Sequence, residues 1–357
     1  MVRAVPLLRE RPMSTRRILP ASSLSRRSLL RYATTAGGLL VAPHLLSACG
    51  EDGSNPAEAD AATSPDTGAA PDTSDAATDT GPRPDVGNDV RAESTTFRFA
   101  IIADTHVIDS YYDGQESNEL DTTSLQFSEE RFGLARDVIR QLEPGVDFVV
   151  HLGDLLHDYP NQSISFMQNN RTRMDAAAEL LGSFGVPYHL CFGNHDFEFG
   201  IESRADTLAF YEERLGVPPY ESFVHRGWKF VMLNCYLGET RDPESSTFGG
   251  SSSLGVEQLA WLEAELAEEI PTFVFVHESL GLIATSEGGT SLHDLIYAGR
   301  DHIQYVLSGH THRWLPLGNQ YGPEHMVIGA TRYDEDCFVI VEVDTTTGEF
   351  AFVNESA

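Results

Sequence analysis

Gly309-His310-Thr311-His312 follows directly on an apolar run at 303–307, whose composition predicts a buried β-strand. Two histidines separated by one residue can point at neighbouring sites when the backbone between them leaves regular strand geometry. Neutral imidazole is a ligand for Zn, Mn, Fe and Co. The end of this strand is therefore a candidate metal site, although two histidines in a loop are by themselves a weak signal.

The same placement, a ligand-type residue soon after an apolar strand, occurs four more times upstream. The predicted strands are 97–102, 148–152, 188–192 and 272–276. In α/β folds the loops at the carboxyl ends of strands gather into one crevice. Any one of these residues alone would be read as a structural hydrogen-bonding residue, but eight at five strand ends predict a common site. They are Asp104, His106, Asp154, Asn194, His195, His277, His310 and His312.

Helical periodicity separates these strands. It predicts a helix from Ser128, a second around 174–181, a third at about 204–215 and an amphipathic helix at 256–268. Residues 107–126 are polar and are interpreted as a loop over the site, and further strands are expected at 223–225, 229–234, 326–329, 338–343 and 350–353. The fold class is α/β, with two packed mixed β-sheets flanked by helices and no domain boundary after residue 94.

The five motifs resemble those of the calcineurin-like metallophosphoesterase superfamily, and the helix before the lone histidine is similar to that of its bacterial phosphodiesterase-type members. The resemblance implies a four-layer sandwich as the catalytic domain at 94–357. The family pattern is D-x-H, GD, GNH-D/E, H and GHxH. Here the motifs read Asp104-Thr105-His106, Gly153-Asp154, Gly193-Asn194-His195-Asp196, His277 and Gly309-His310-Thr311-His312.

The resemblance also implies a role for each residue around two divalent or trivalent transition-metal ions, which would be Mn, Fe, Zn or Co. Asp154 would bridge both ions, and a water or hydroxide held between them would attack phosphorus. His195 would bind the phosphoryl group and help to protonate the leaving oxygen, while Asp196 would either support the site or cap the next segment. The expected ligands of the first ion are Asp104, His106 and His312, and those of the second are Asn194, His277 and His310.

Other residues near the motifs carry weaker expectations. His157 stands three residues after the bridging aspartate, where purple acid phosphatases have a tyrosine, so an iron–tyrosinate centre is disfavoured. The segment lacks the GDxxDRG pattern of protein serine/threonine phosphatases. His157 and Asp158 are predicted to lie in a solvated loop, with a position lining the pocket as the alternative, and residues 111–113 are candidate substrate contacts.

The leading functional hypothesis is a metal-dependent phosphoester hydrolase acting on small phosphodiesters. A broad phosphomonoesterase or nucleotidase is the alternative within enzymes. A non-catalytic surface binding module with a vestigial site is the hypothesis from another class, and it is disfavoured because no ligand is missing. The net charge is −30, and no basic patch is interleaved with aromatic residues, so binding of long nucleic acid is not expected.

The N-terminal segment has the features of an export signal. Ser25-Arg26-Arg27-Ser28-Leu29 resembles a twin-arginine signal, which precedes an apolar stretch at 32–46. Leu46-Ser47-Ala48-Cys49 resembles a bacterial lipobox, with Cys49 as the lipidated residue. Residues 1–48 are therefore interpreted as a twin-arginine lipoprotein signal peptide, which would place the protein on the periplasmic or cell-surface side of a bacterial membrane through a lipid anchor. An ordinary signal peptide with a chance cysteine is the alternative. Its partners would include the twin-arginine export machinery, besides the phosphoester substrate.

Residues 49–93 are rich in Ala, Asp, Pro and Thr and contain no aromatic residue. Such a composition cannot bury enough apolar area to offset chain entropy, so the segment is expected to be a disordered acidic tether. The other cysteines are Cys191, Cys235 and Cys337, which lie in or beside apolar runs and are expected to be buried thiols. A Cys191–Cys235 bridge is the alternative.

Overall fold

The computed structural model describes residues 95–353, except for 115, 159–162, 198–202, 243–244 and 247–248. The predicted signal peptide, the tether and Cys49 lie outside the described residues. Within the described residues, no helix combines the length and apolarity needed to cross a membrane.

Two mixed sheets form the centre of the structure. The first has five strands in the order β13-β12-β1-β2-β3, and the second has six in the order β10-β11-β9-β6-β5-β4. A separate two-stranded ribbon pairs β7 with β8. The strands are β1 Thr96–Ile102, β2 Phe148–His151, β3 Tyr188–Leu190, β4 Glu221–His225, β5 Trp228–Leu233, β6 Thr272–Val276, β7 Ser286–Glu287, β8 Thr290–Ser291, β9 Ile303–Ser308, β10 Leu315–Gly318, β11 His325–Val327, β12 Phe338–Asp344 and β13 Glu349–Phe352.

The central strands are apolar on both faces because both faces are covered. On β1, Phe99 and Ile101 point into the core between the sheets, whereas Ala100 and Ile102 pack under helices. The Phe99 ring lies 5.1 Å from Phe148 of its own sheet and 5.2 Å from Phe230 of the opposite sheet, measured between ring centroids. These aromatic contacts hold the two sheets together.

Helices cover the outer face of each sheet, which gives the four-layer α/β arrangement expected from the sequence. One set packs on the first sheet, and α6 and α7 pack on the second. Ser203 caps α5 by accepting a hydrogen bond from the Asp206 amide, and Gly216 ends that helix in the left-handed conformation. The helices are α1 Glu119–Gln126, α2 Ser128–Arg140, α3 Ile164–Asn169, α4 Arg173–Gly182, α5 Arg204–Leu215, α6 Val256–Leu266 and α7 Leu292–Ala298.

The structure corrects one element of the sequence interpretation. Residues 107–126 are not a loop throughout, because α1 occupies 119–126. Its sequence is polar and rich in threonine, so periodicity did not reveal it. Asn118 supplies a local start signal, since its side chain accepts a hydrogen bond from the Asp121 amide. Cys191, Cys235 and Cys337 are free and buried, as expected, and do not form the alternative bridge.

Candidate metal centre

The predicted site residues lie in loops that follow five parallel-paired strands. Strands β1, β2 and β3 run parallel in the first sheet, and β6 and β9 run parallel in the second. Their carboxyl ends therefore meet at one edge of the sandwich. The link between the two sheets is direct, because His277 Nδ1 lies 2.8 Å from the backbone oxygen of Leu152.

The backbone at this edge is strained. Seven non-glycine residues in the described part of the chain have positive φ, and five of them belong to the predicted site. A left-handed conformation at a non-glycine residue costs on the order of 1–3 kcal/mol and persists only where surrounding contacts enforce it. Strain concentrated here indicates that the loops are shaped to aim these side chains. The five are Asp104, His106, Asp154, His310 and His312, with φ between 46° and 70°.

Two motif glycines allow the backbone to approach the carboxylates. A Cβ atom on Gly309 would lie 2.6 Å from Asp104 Oδ2. A Cβ atom on Gly193 would collide with Asp154 Oδ1. Because glycine has no side chain at these positions, the backbone can donate hydrogen bonds to both carboxylates. His310 N donates to Asp104 Oδ1 at 3.0 Å, and His195 N donates to Asp154 Oδ1 at 3.0 Å.

The first set of predicted ligands forms one compact group, here called group 1: Asp104, His106, Asp154 and His312. His106 Nε2 lies 3.1 Å from His312 Nε2 and 3.4 Å from Asp154 Oδ2. His312 Nε2 lies 3.3 Å from Asp104 Oδ1. Four donor atoms therefore enclose a small space at the ends of β1, β2 and β9.

The second set, here called group 2, contains Asp154, Asn194, His277 and His310. Asp154, His277 and His310 present donor atoms within 4.8 Å of one another. His310 Nδ1 lies 3.1 Å from Asn194 Oδ1 and 3.3 Å from His277 Nε2. His277 Nε2 lies 3.2 Å from Asp154 Oδ2. Asp154 Oδ2 is thus shared between the two groups.

These donor sets fit transition-metal ions. Ligands bound at about 2.1 Å in tetrahedral or octahedral shells stand roughly 3.0–3.4 Å apart along the edges of the shell. The separations in both groups, 3.1 to 3.4 Å, lie in that range. Two imidazole nitrogens that face each other at 3.1 Å also need a proton or a cation between them, and a mixed nitrogen and oxygen set suits Mn, Fe, Co and Zn.

Most of the donor side chains have the protonation state that metal binding requires. Burial lowers the pKa of His106 and of His310, so both imidazoles are neutral ligands at neutral pH. Although burial opposes ionisation of Asp154, the neighbouring His277 holds the pKa of that carboxyl well below its usual range. In the metal-free chain burial disfavours a charged His277, but the Asp154 carboxylate outweighs it and raises the pKa of His277 to about 10. A cation at group 2 would displace that proton.

His195 lies beside the cage rather than in it. Its ring centroid is 4.7 Å from that of His106, and its side chain is partly exposed. Its Nδ1 is hydrogen-bonded to Asp158 Oδ1. Asp158 therefore orients the imidazole and stabilises its protonated form. Asp158 was predicted to lie in a solvated loop, and this contact was not predicted, because it joins residues 37 positions apart in the chain.

His157 is also buried, which contradicts the solvated-loop prediction. Its Nδ1 lies 3.3 Å from His106 Nδ1, and its Nε2 lies 3.3 Å from Glu116 Oε1. Tyr112 donates a hydrogen bond to the same Glu116 oxygen at 2.8 Å. The hydrogen bond from His157 outweighs burial and lowers the pKa of Glu116 to about 2. Of these four residues, His106 was a predicted site residue and Tyr112 a candidate substrate contact, whereas nothing in the local sequence around Glu116 signals its contact.

Asp196 joins the motif loops to the fold. Its carboxylate accepts hydrogen bonds from Gly193 N at 2.8 Å, Leu156 N at 3.1 Å and Tyr211 OH at 2.8 Å. Burial, followed by repulsion from Asp154, raises the pKa of Asp196 to about 6. Asp196 therefore supports the loop that carries Asn194 instead of facing the cage.

The comparison with protein families agrees with this geometry. The model of the calcineurin-like phosphoesterase family matches residues 97–314, which contain all five motifs. The chain belongs to the calcineurin-like phosphoesterase family. Membership implies divalent metal ions and phosphoester hydrolysis, which is the chemistry that the two donor groups suit.

The individual proteins that resemble this chain have low sequence identity to it. Over 197 residues the chain is 27% identical to the 3',5'-cyclic adenosine monophosphate phosphodiesterase CpdA of Escherichia coli strain K12, covering 53% of this chain and 62% of that protein. A dimetal phosphatase from Danio rerio is 19% identical with a TM-score of 0.49, covering 69% of this chain and 92% of its own. A purple acid phosphatase from yellow lupin seeds is 16% identical with a TM-score of 0.45, covering 74% and 55%.

Proposed function

We propose that the chain hydrolyses small phosphodiesters with two transition-metal ions held by groups 1 and 2. The observation that carries the proposal is the shared oxygen, Asp154 Oδ2, which lies 3.4 Å from His106 Nε2 and 3.2 Å from His277 Nε2. A carboxylate between two cations offsets their mutual repulsion. Two ions bound there would supply Lewis-acid charge for the phosphoryl oxygens and would activate water as the nucleophile.

The chain's own residues would preorganise the metal site and transfer a proton. The strained loops at Asp104, Asp154 and His310 hold the donors in place before substrate arrives, which lowers the reorganisation needed in the transition state. In this proposal His195 would hydrogen-bond the phosphoryl group and pass a proton to the leaving oxygen. Asp158 holds the His195 ring through Nδ1 and favours the protonated form that this transfer requires.

A diester preference is supported by the similarity to a cyclic-nucleotide phosphodiesterase. The test is hydrolysis of bis-p-nitrophenyl phosphate against p-nitrophenyl phosphate by Mn²⁺-loaded protein. A higher kcat/KM on the diester supports the proposal. Equal or faster hydrolysis of the monoester would replace it with a phosphomonoesterase or nucleotidase. Fewer than one metal ion per chain, with no hydrolysis of either compound, would favour a binding module.

We also propose that the enzyme works outside the cytoplasm, held to a bacterial membrane by a lipid on Cys49 after export through the twin-arginine machinery. The supports are the paired arginines Arg26 and Arg27 and the lipobox-like residues 46–49. Changing Cys49 to Ala should move the protein from the membrane fraction to the soluble extracytoplasmic fraction. Changing both arginines to lysine should leave the precursor inside the cell. An unaltered distribution of both variants would overturn this assignment.

A further inference from the structure

His106 is contacted on both ring nitrogens. Its Nε2 faces the donors of group 1, at 3.1 Å from His312 Nε2. Its Nδ1 faces away from the cage, at 3.3 Å from His157 Nδ1. His157 in turn has its other nitrogen 3.3 Å from Glu116 Oε1. A continuous polar line therefore runs from group 1 through two imidazoles to a carboxylate on the segment 107–118.

When an ion is bound to His106 Nε2, only one placement of the protons allows every hydrogen bond from His106 through His157 to Glu116 to form. An ion takes the lone pair of His106 Nε2, so the proton of that ring must sit on Nδ1 and be donated to His157 Nδ1. His157 must then carry its own proton on Nε2 and donate it to Glu116 Oε1. Glu116 accepts this bond and the bond from Tyr112 with the same oxygen, which is the arrangement of an ionised carboxylate.

The histidine at the corresponding place in group 2 has a different support. The Nδ1 of His277 lies 2.8 Å from the backbone oxygen of Leu152, which is a neutral dipole held by the end of β2. Group 1 is therefore supported by a charged side chain on a surface segment, whereas group 2 is supported by the rigid frame. Partners of this kind fix ring orientation and raise the basicity of a ligating histidine.

We propose that His157 and Glu116 are positioning residues that strengthen metal binding at group 1 and couple the segment 107–118 to metal occupancy. The inference rests on the proposed function only for the presence of an ion on His106. Because coupling between two binding equilibria is reciprocal, an ion that binds better when Glu116 is in place also holds Glu116 in place. Metal loading thus orders the segment that borders the site.

The test is metal affinity measured by competition with a chelating dye, on full-length chains carrying Glu116→Gln, His157→Phe or both. Glu116→Gln keeps the size of the side chain and removes its charge, and His157→Phe keeps a ring and removes the acceptor. The expected result is a loss of about 10–100-fold in affinity for one of two ions, with the other ion unchanged. Asp113→Asn is the matched control, because Asp113 is an exposed carboxylate on the same segment, and it should leave both affinities within about twofold.

The double variant separates a relay from a general loss of charge. Since His157 is the only link proposed between Glu116 and His106, Glu116→Gln should cost less than about twofold when added to His157→Phe. Additive losses, equal weakening of both ions, or the same loss in Asp113→Asn would each overturn the relay. Unfolding midpoints of the metal-free variants confirm that they fold.

Hydrogen exchange supplies a second readout that does not depend on turnover. Metal should slow amide exchange at 108–118 in the unaltered protein and in Asp113→Asn, but not in Glu116→Gln. Equal slowing in all three proteins would overturn the coupling. A chain that binds two ions and shows these shifts but hydrolyses no phosphoester would keep the relay and overturn the proposed function, whereas a chain that binds no metal overturns both.

Discussion

The core between the two sheets and the edge that carries groups 1 and 2 differ in the kind of residue they bury and in backbone strain. In the core, Phe99, Phe230 and Phe273 are fully buried and pack ring against ring. A few residues beyond Phe99, β1 leads to Asp104, and the neighbouring strand β2 leads to Asp154; both aspartates are buried and have left-handed backbone. The core therefore stabilises the fold, whereas the edge holds strained backbone and buried charged groups that suit a bound cation.

Stability and activity should therefore respond separately to substitution. Changes at the edge should remove metal and turnover while leaving the metal-free fold intact. Changes in the core should lower stability while leaving the activity of each folded molecule unaltered.

The largest expected effect is that of Asp154→Ala on turnover. Removal of the shared carboxylate should lower metal content below two ions per chain, and loss of several kcal/mol of charge stabilisation corresponds to a fall of about a thousandfold or more in kcat. The measurement is phosphodiester hydrolysis together with metal analysis. A full complement of metal in this variant would contradict the shared role.

His195→Ala should separate proton transfer from metal binding. Loss of a positioned acid should lower kcat by about 10²–10⁴-fold, whereas metal content should remain that of the unaltered protein. Substrates with a good leaving group, such as p-nitrophenyl esters, should suffer less than alkyl esters, because they need less protonation. Loss of metal from this variant would place His195 in the cage.

Phe99→Ala is the corresponding change in the core. Truncation of a fully buried aromatic ring should lower the free energy of unfolding by about 3–5 kcal/mol. Leu120→Ala serves as the control, since Leu120 is 69% exposed and its truncation should change stability by less than about 0.5 kcal/mol. Turnover per folded molecule should be unaltered in both. A stable Phe99→Ala protein with impaired turnover would erase the distinction between the two regions.

The smallest effect is a proton released on metal binding. At pH values below its pKa of about 10, His277 is protonated in the metal-free chain. An ion at group 2 must therefore displace that proton. Affinity should therefore rise with pH, and calorimetry at pH 8 in buffers of different ionisation enthalpy should show about one proton released by this group. Binding without proton release would show that His277 is already neutral beside Asp154.

The strands and most of the site could be read from the sequence because apolar runs and the residues after them are local signals. Asp104, Asn194 and His310 each lie within four residues of a strand end, so a general rule about strand ends brings them together. Glu116 and Asp158 could not be predicted in this way. Their contacts depend on how the turns after β1 and β2 fold against each other, and no periodic pattern records that.

Helix α1 was missed for a related reason. Its residues 119–126 have weak helix propensity, and tertiary contacts hold the helix, including the hydrogen bond from Tyr333 to Asp121. The departures from local rules thus concentrate around the metal centre, as expected for a functional site.

The central claim is one carboxylate shared by two ions, and anomalous diffraction from crystals grown with Mn²⁺ tests it most directly. We expect two anomalous peaks about 3.5–4 Å apart, with the Asp154 carboxylate between them and His106 and His277 on opposite sides. A single peak, or two peaks of which only one contacts Asp154, would contradict it.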